Sequence, residues 1–358
     1  MLAVLLAPIG ILWCPGASRW RDHAYRTLLY GQVAGHVAGR NASPQDTAER
    51  VADYVRTHLW TPGWAAPYDG APADYLIRGI GWCDYQAKTY AALLATLRIP
   101  ARYAMLLEAD GATSPHTVAE TWDGHRWGLY DLTFGVRFVD RQGDPLTLEQ
   151  LSAAPALLDA QPMLIALRRL QPDLAQSIHD LYARVLPIRF PPRRSHAGTE
   201  RLTPFDRLLL LYARLGGPRF VAWYQDRYLA TQQLRATTPV ERLTLARHWH
   251  LAGRVEEARR AYLRCAQEAA GSPAADDARF WLGVLEWEAG DPAAAARTLE
   301  ALIAEEPNSR WTPMAWYYRG RSAEALGDVA GGRTWYLKAG ASGPVAWSRL
   351  ARLERAPR

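Results

Sequence analysis

The sequence is short of lysine, of cysteine and of charge at its start. Lysine occurs twice, as Lys88 and Lys338, so arginine supplies 40 of the 42 basic side chains. A chain with two lysines is a poor acceptor for lysine crosslinking between its own copies. The arginine excess points to a GC-rich genome. It does not point to a nucleic-acid surface, because the net charge is only +6. Three cysteines, Cys14, Cys83 and Cys265, are too few for a disulfide framework. Their spacing excludes a cysteine-rich zinc site, and the histidines keep no ligand spacing with them. No metal ion and no cofactor are expected.

No charged residue occurs between Met1 and Ser18. The apolar run Leu2–Cys14 has 13 residues, short of the about 20 that a membrane span needs. Pro8 and Gly10 interrupt it. The basic start of a secretory signal is missing, and Trp13 before Cys14 argues against a lipoprotein signal. Three readings stay open: the tail of a signal or anchor that starts upstream, a short anchor, or a buried segment. The first two together are preferred. They would put the protein on the exported or membrane-anchored, periplasmic side of a bacterium, with the cytoplasm not excluded. N-terminal membrane association stays open with them.

What is present fits a globular chain of two or three domains. Hydrophobic residues make up 49% of the 358 and charged residues 22%, a balance that a disordered chain does not have. Fifteen tryptophans and 17 tyrosines suit either a groove for sugar or peptide or a packed core; the core reading is preferred. Ser43-Pro44-Gln45-Asp46 reads as a helix start, with a capping serine, proline in the first turn and an acid behind it. A loop rich in Gly, Pro and Ala runs from Thr61 to Ala73. Cys83, Ala87, Tyr90, Ala91 and Leu94 then fall on one stripe of a helix beginning near Cys83, which ends at Arg98-Ile99-Pro100. Three strands follow at Ala101–Leu107, Thr117–Trp122 and Arg126–Leu132. Asp123-Gly124 is expected to be the turn of the last hairpin. A helix followed by an antiparallel sheet is an α+β arrangement.

Residues 147–186 read as helical with breaks at Pro155, Pro162 and Pro172. Pro187, Pro191 and Pro192 then interleave with Arg184, Arg189, Arg193 and Arg194. That is a linker, with a contact to acidic polymer or lipid headgroups as the lesser alternative. Beyond it the chain repeats. Gly253, Gly290 and Gly327 stand 37 residues apart. Ala246, Gly283 and Gly320 keep that step, as do Ala258, Ala295 and Gly332, and Tyr262, Leu299 and Tyr336. Small residues where two helices touch, glycine in the turn and a bulky residue in the groove describe a helix–turn–helix unit. Gly216, one period earlier, has a poor surrounding match and reads as a degenerate capping helix pair.

Cys83, His116 and Asp131 carry the chemistry. A thiol titrates at about 8.5 and needs help to ionise at neutral pH. A helix N-terminus gives partial positive charge, and a nearby histidine can take the proton. An aspartate on the other ring nitrogen fixes the tautomer. A hairpin turning at Asp123-Gly124 puts His116 directly opposite Asp131. Taken singly, the cysteine could be a core residue, the histidine a loop residue and the aspartate a strand-end cap. Glu120, on the same strand face as His116, serves either the site or the surface. His125 lies in the turn and is expected in solvent.

Gly81-Trp82-Cys83-Asp84-Tyr85, then Leu94, Arg98-Ile99-Pro100-Ala101-Arg102, His116 with Glu120, Gly124, Trp127 and Asp131-Leu132-Thr133 resemble the bacterial transglutaminase-like superfamily over roughly residues 45–140. The repeats resemble tetratricopeptide repeats, whose usual period is about 34 residues. The first resemblance implies a papain-like α+β core with the cysteine on its central helix. It implies Cys83 as nucleophile, His116 as general base and acid, and Asp131 as orienter, acting through a thioester whose acyl group passes to water or an amine. Val118, where the family often has an aromatic residue, and Leu132, where it often has proline, leave substrate choice open.

The expected fold is an α+β papain/transglutaminase-like domain followed by an all-α tetratricopeptide-like domain. Its parts would be an apolar segment at 1–18, a catalytic domain at 19–146, a helical connector at 147–238 with its linker near 187–200, and repeats at 239–345. The expected function is a cysteine-dependent amide hydrolase or acyl transferase acting on protein or peptide, with a protein partner on the repeats and no nucleic acid. The alternative is a non-catalytic interaction scaffold.

Overall fold

The computed structural model describes residues 16–39, 42–61, 70–108, 110, 113–185, 202–234, 236–340 and 343–355. The apolar run with Cys14 and the Pro/Arg-rich stretch 187–200 lie outside the described residues. So do positions 62–69 of the Gly/Pro/Ala loop.

Four helices come first: α1 (Ser18–Ala38), α2 (Pro44–His58), α3 (Pro72–Arg78) and α4 (Cys83–Thr96). Ser43 caps α2 by accepting from the Asp46 N–H at 3.0 Å, with Pro44 in the first turn. Helix α4 is central. Helices α1, α2 and α3 pack on it, and strands β1 (Ala101–Leu106) and β2 (His116–Trp122) pack against it as well. Burial on several sides explains why Ala87, Tyr90, Leu93 and Leu94 are all fully buried. The Tyr90 hydroxyl is 2.7 Å from Thr121 Oγ1, tying α4 to β2.

The sheet continues through β3 (Trp127–Asp131) and a two-residue β4 (Val136–Arg137) in the antiparallel order β1-β2-β3-β4. One face carries Ala119 and Tyr130 into the core shared with α1–α4. The other carries Val118 and Leu129 into a second core. That second core is built with α5 (Leu148–Ala153), α6 (Pro162–Leu170) and α7 (Pro172–Val185). Pro155, Pro162 and Pro172 each stand first in a helical element, where a missing N–H costs nothing.

The β2–β3 register differs from the expectation by two residues. Trp122 pairs with Trp127 and Ala119 with Tyr130, so the loop is Asp123–Arg126 and not a two-residue turn. Asp123 is the cause: its Oδ1 accepts from the N–H groups of His125 and Arg126 at 2.8 and 2.9 Å and holds a longer loop. A shift of two preserves the strand face. His116 and Asp131 become diagonal neighbours rather than direct partners.

Helix α8 (Pro204–Gln233) is bent at Gly217, whose φ is 62° and ψ −164°, with Pro218 next. Its two halves meet at that kink, next to Gly216, and lie chiefly along α1, so this segment braces the N-terminal domain. Three helix pairs follow: α9 (Pro239–Leu251) with α10 (Val255–Glu268), α11 (Pro273–Glu288) with α12 (Pro292–Glu305), and α13 (Thr312–Ala325) with α14 (Val329–Gly340). Gly253, Gly290 and Gly327 sit in the turns within the pairs at φ 67°, 83° and 87°, the left-handed region that glycine enters without strain. The small-residue columns mark close helix contacts. A Cβ on Gly320 would stand 2.6 Å from the Tyr336 ring.

The first helix of each pair is spent on the N-terminal domain. Arg247 of α9 donates to the Leu76 and Ile77 carbonyls at 2.7 and 3.2 Å. Trp311 stands 5.7 Å from Trp60, ring centre to ring centre. The Tyr318 hydroxyl of α13 reaches the Thr57 carbonyl at 3.5 Å. The last helix, α15 (Pro344–Arg355), packs on α14 and α6. There the buried Arg56 guanidinium donates to Ser348 and to the Val345 carbonyl. No helix among the described residues is long and apolar enough to cross a membrane.

Candidate active site

Cys83 is the first residue of α4, and the preceding Trp82 gives that helix no side-chain cap. The first-turn N–H groups of a helix have no partner within it and carry its positive pole. The thiol therefore sits where negative charge is favoured. Cys83 is partly buried and Trp82 beside it is 38% exposed, so the sulfur lies at the boundary between core and solvent.

His116 opens β2 and Asp131 closes β3, and both are buried, at 4% and 1% exposure. His116 Nε2 is 2.8 Å from Asp131 Oδ2. The Cys83 thiol lies close enough to the same imidazole to add to the rise in its pKa, and Asp131 occupies Nε2, which leaves Nδ1 as the nitrogen open to the thiol. The structure thus brings together all three residues singled out in the sequence, in the order thiol, imidazole, carboxylate.

Burial alone would push the His116 pKa down. The Asp131 charge and hydrogen bond, with a smaller contribution from Cys83, outweigh it and raise the ring to about 10. Asp131 is the converse case. Burial would push its carboxyl up, but the His116 charge and the hydrogen bonds from His116, Phe134 and Tyr182 hold it below the usual carboxylate range.

Two residues that the sequence did not single out complete the site. Tyr182, on α7, donates its hydroxyl to Asp131 Oδ2 at 2.7 Å, and its ring stands edge-on to His116 at 6.2 Å. Gln86, one turn into α4, donates to the Leu59 carbonyl at 2.7 Å and accepts from Thr133 Oγ1 at 2.8 Å. It locks the helix that carries Cys83 to the segment that follows Asp131. Its spacing of three from Cys83 was the one available signal.

Glu120 belongs to neither of its expected roles. It is buried, pairs with Arg102 at 2.6 Å across the strands, and accepts from the Leu148 N–H at 2.8 Å, which anchors the start of α5. His125 is exposed in the hairpin loop. Cys265 is buried, with its sulfur directed at the Pro239 and Ala274 carbonyls.

Residues 31–132 match the family model of the transglutaminase-like superfamily. Residues 251–310 and 282–346 match that of the tetratricopeptide repeat. No curated protein matches the chain. The chain carries a transglutaminase-like domain followed by tetratricopeptide repeats, and Cys83, His116 and Asp131 all fall inside the first match.

Proposed function

We propose that the protein is a cysteine-dependent amide hydrolase or acyl transferase that works on protein or peptide through a thioester on Cys83. One observation carries the reading: a cysteine at an uncapped helix N-terminus, beside a histidine whose Nε2 is held by a buried aspartate. In the first half-reaction the Cys83 sulfur attacks the amide carbonyl carbon. The proton shared by the pair rests on His116, whose raised proton affinity holds it there, so the sulfur attacks beside a protonated ring. The oxyanion forms beside the first-turn N–H groups of α4. His116 then gives its proton to the departing amine as the C–N bond breaks. In the second half, water or an amine attacks the thioester carbon, His116 takes its proton, and the C–S bond breaks to leave the sulfur beside the protonated ring once more. Asp131 stays ionised throughout and keeps the ring oriented.

The acyl acceptor is water or comes from another molecule. Lys88 is paired with Asp84 at 3.6 Å, and Lys338 lies on a repeat helix. Tetratricopeptide repeats are interaction modules, but here the first helices of the pairs already face the N-terminal domain. We place a protein partner on the second helices, where Leu263 and Leu337 are exposed. The apolar run Leu2–Cys14 supports export or anchoring on the periplasmic side.

Labelling with a thiol-reactive acyl probe at neutral pH tests the chemistry in a Cys14→Ser background. Cys83 should label while buried Cys265 stays unmodified, and His116→Gln should slow labelling about 100-fold. A folded protein whose Cys83 labels at the rate of free cysteine, or not at all, would favour the scaffold reading.

A further inference from the structure

A cavity of about 1570 Å³ lies away from Cys83, at the opposite end of α4, between α1, the bent α8 and the start of β1. The 14 residues of α4 separate it from the thiol by about 20 Å. It exceeds the roughly 300–1,000 Å³ of ordinary small-molecule pockets and has room for a long apolar body.

Leu28, Leu97, Ile99, Leu210 and Val221 supply an apolar wall. Arg98, Arg102, Arg207, Arg214 and Arg254 also line the cavity, and among the described residues no aspartate or glutamate does. Two of the five are already engaged. Arg102 pairs with Glu120 and covers the Trp127 ring, and Arg254 pairs with Asp226. Arg98, Arg207 and Arg214 are exposed and pair with no carboxylate among the described residues.

Arg98 is also the residue that closes α4. Its φ of +60° is the left-handed turn that ends a helix, with its N–H bonded to the Ala95 carbonyl and the Ile99 N–H bonded to the Leu94 carbonyl, each at 3.0 Å. That turn sets Arg98 on the cavity wall.

The charges decide what fits. The C-terminal carbonyls of α4 carry about half a negative charge and oppose an anion. Three unpaired guanidinium groups outweigh that, and their forked donors match phosphate or carboxylate oxygens. We propose that this cavity binds an anionic amphiphile, a molecule with a phosphate or carboxylate head and an apolar chain. The head lies among Arg98, Arg207 and Arg214, and the chain lies along Leu28, Leu210 and Val221.

Calorimetric titration of the full chain below the micellar concentration tests this with dodecyl phosphate, dodecanoate, inorganic phosphate and dodecyl maltoside. The two charged amphiphiles should bind saturably, and their relative affinities say which head is preferred. Affinity should fall about tenfold or more in Arg207→Gln/Arg214→Gln and weaken with added salt. Arg219→Gln, on the same helix but outside the cavity, should leave affinity unchanged. Arg98→Gly should weaken binding without lowering the melting temperature, since it relieves the backbone. Three results would each overturn the proposal: equal affinity for dodecyl maltoside, equal affinity for inorganic phosphate, or unchanged binding in the double variant. Tighter binding of polyglutamate than of either amphiphile would overturn it in favour of an acidic peptide.

Discussion

Tyr182 donates its hydroxyl to Asp131 Oδ2 at 2.7 Å, the same oxygen that accepts from His116 Nε2. Burial first, and then the Asp131 charge, hold the tyrosine well above its ordinary pKa, so it remains a donor. The tyrosine stabilises the carboxylate and fixes the oxygen on which the imidazole pivots. Tyr182→Phe keeps the ring packing and removes the donor. It should cost about 1.5 kcal/mol, as for a hydrogen bond to a charged group. Asp131 loses one of the contacts that hold its pKa down, so the acid limb of Cys83 labelling should move to higher pH. A labelling profile that superimposes on wild type would reduce Tyr182 to packing.

The His116–Asp131 pair makes stability depend on pH at both ends. His116 is raised from 6.5 to about 10. Its contribution is complete below the unfolded value and is lost as pH rises through about 10. Asp131 is lowered from 3.8. Its contribution is present above that value and is lost as pH falls through the folded one. In melting curves, the gap between wild type and His116→Gln should be widest near pH 5–6 and shrink steadily from pH 7 to 10. A gap that stays constant over the alkaline range would contradict the ion pair.

Local pattern made much of this legible in the sequence. The α4 start at Cys83, the three strands and the glycine turns of the repeats are each set by residues a few positions apart. The hairpin register was not, because it depends on one side chain, Asp123, folding back on two N–H groups. Since the error was two residues, His116 and Asp131 still met. Tyr182 lies 51 residues from Asp131 and Arg56 lies 292 from Ser348. No periodicity connects such pairs, so neither the tyrosine nor the docking of the repeats on the N-terminal domain could be read from the sequence. That docking also means that cutting the chain at 238 would expose Trp60 and the buried Arg56, so a truncated protein does not isolate the thiol chemistry.

Gly79 tests the docking at one atom. It ends α3 with φ 70°, and an added Cβ would collide with the buried Trp281 ring of α11. Backbone strain and overpacking act together, so Gly79→Ala should cost roughly 2–4 kcal/mol. Denaturant unfolding followed by tryptophan fluorescence measures it. A loss below 1 kcal/mol, in the range of ordinary surface changes, would mean that α3 and α11 are not in tight contact.

Glu288 holds the two domains together by charge. Its Oε1 stands 2.6 Å from His58 Nε2 of α2, and its Oε2 stands 2.9 Å from His250 Nε2 of α9. Arg247 donates to His250 Nδ1 at 3.1 Å, which leaves that ring neutral with Nε2–H for Glu288. Burial, aided by the Arg247 charge, pushes His250 down to about 4 in agreement. For Glu288, burial would raise the carboxyl, but the His58 charge and the two histidine contacts hold it well below its ordinary value of 4.5. Its contribution is therefore present above that value and disappears as pH falls through the folded one. Glu288→Gln keeps the shape and removes the charge. With 17% of the Glu288 side chain still exposed, the cost falls at the low end for a broken buried pair, about 3 kcal/mol at pH 7. Urea unfolding of both proteins at pH 7 and at pH 3 reads it, and the difference should be smaller at pH 3. A difference equal at both pH values would show that Glu288 acts by packing rather than by charge.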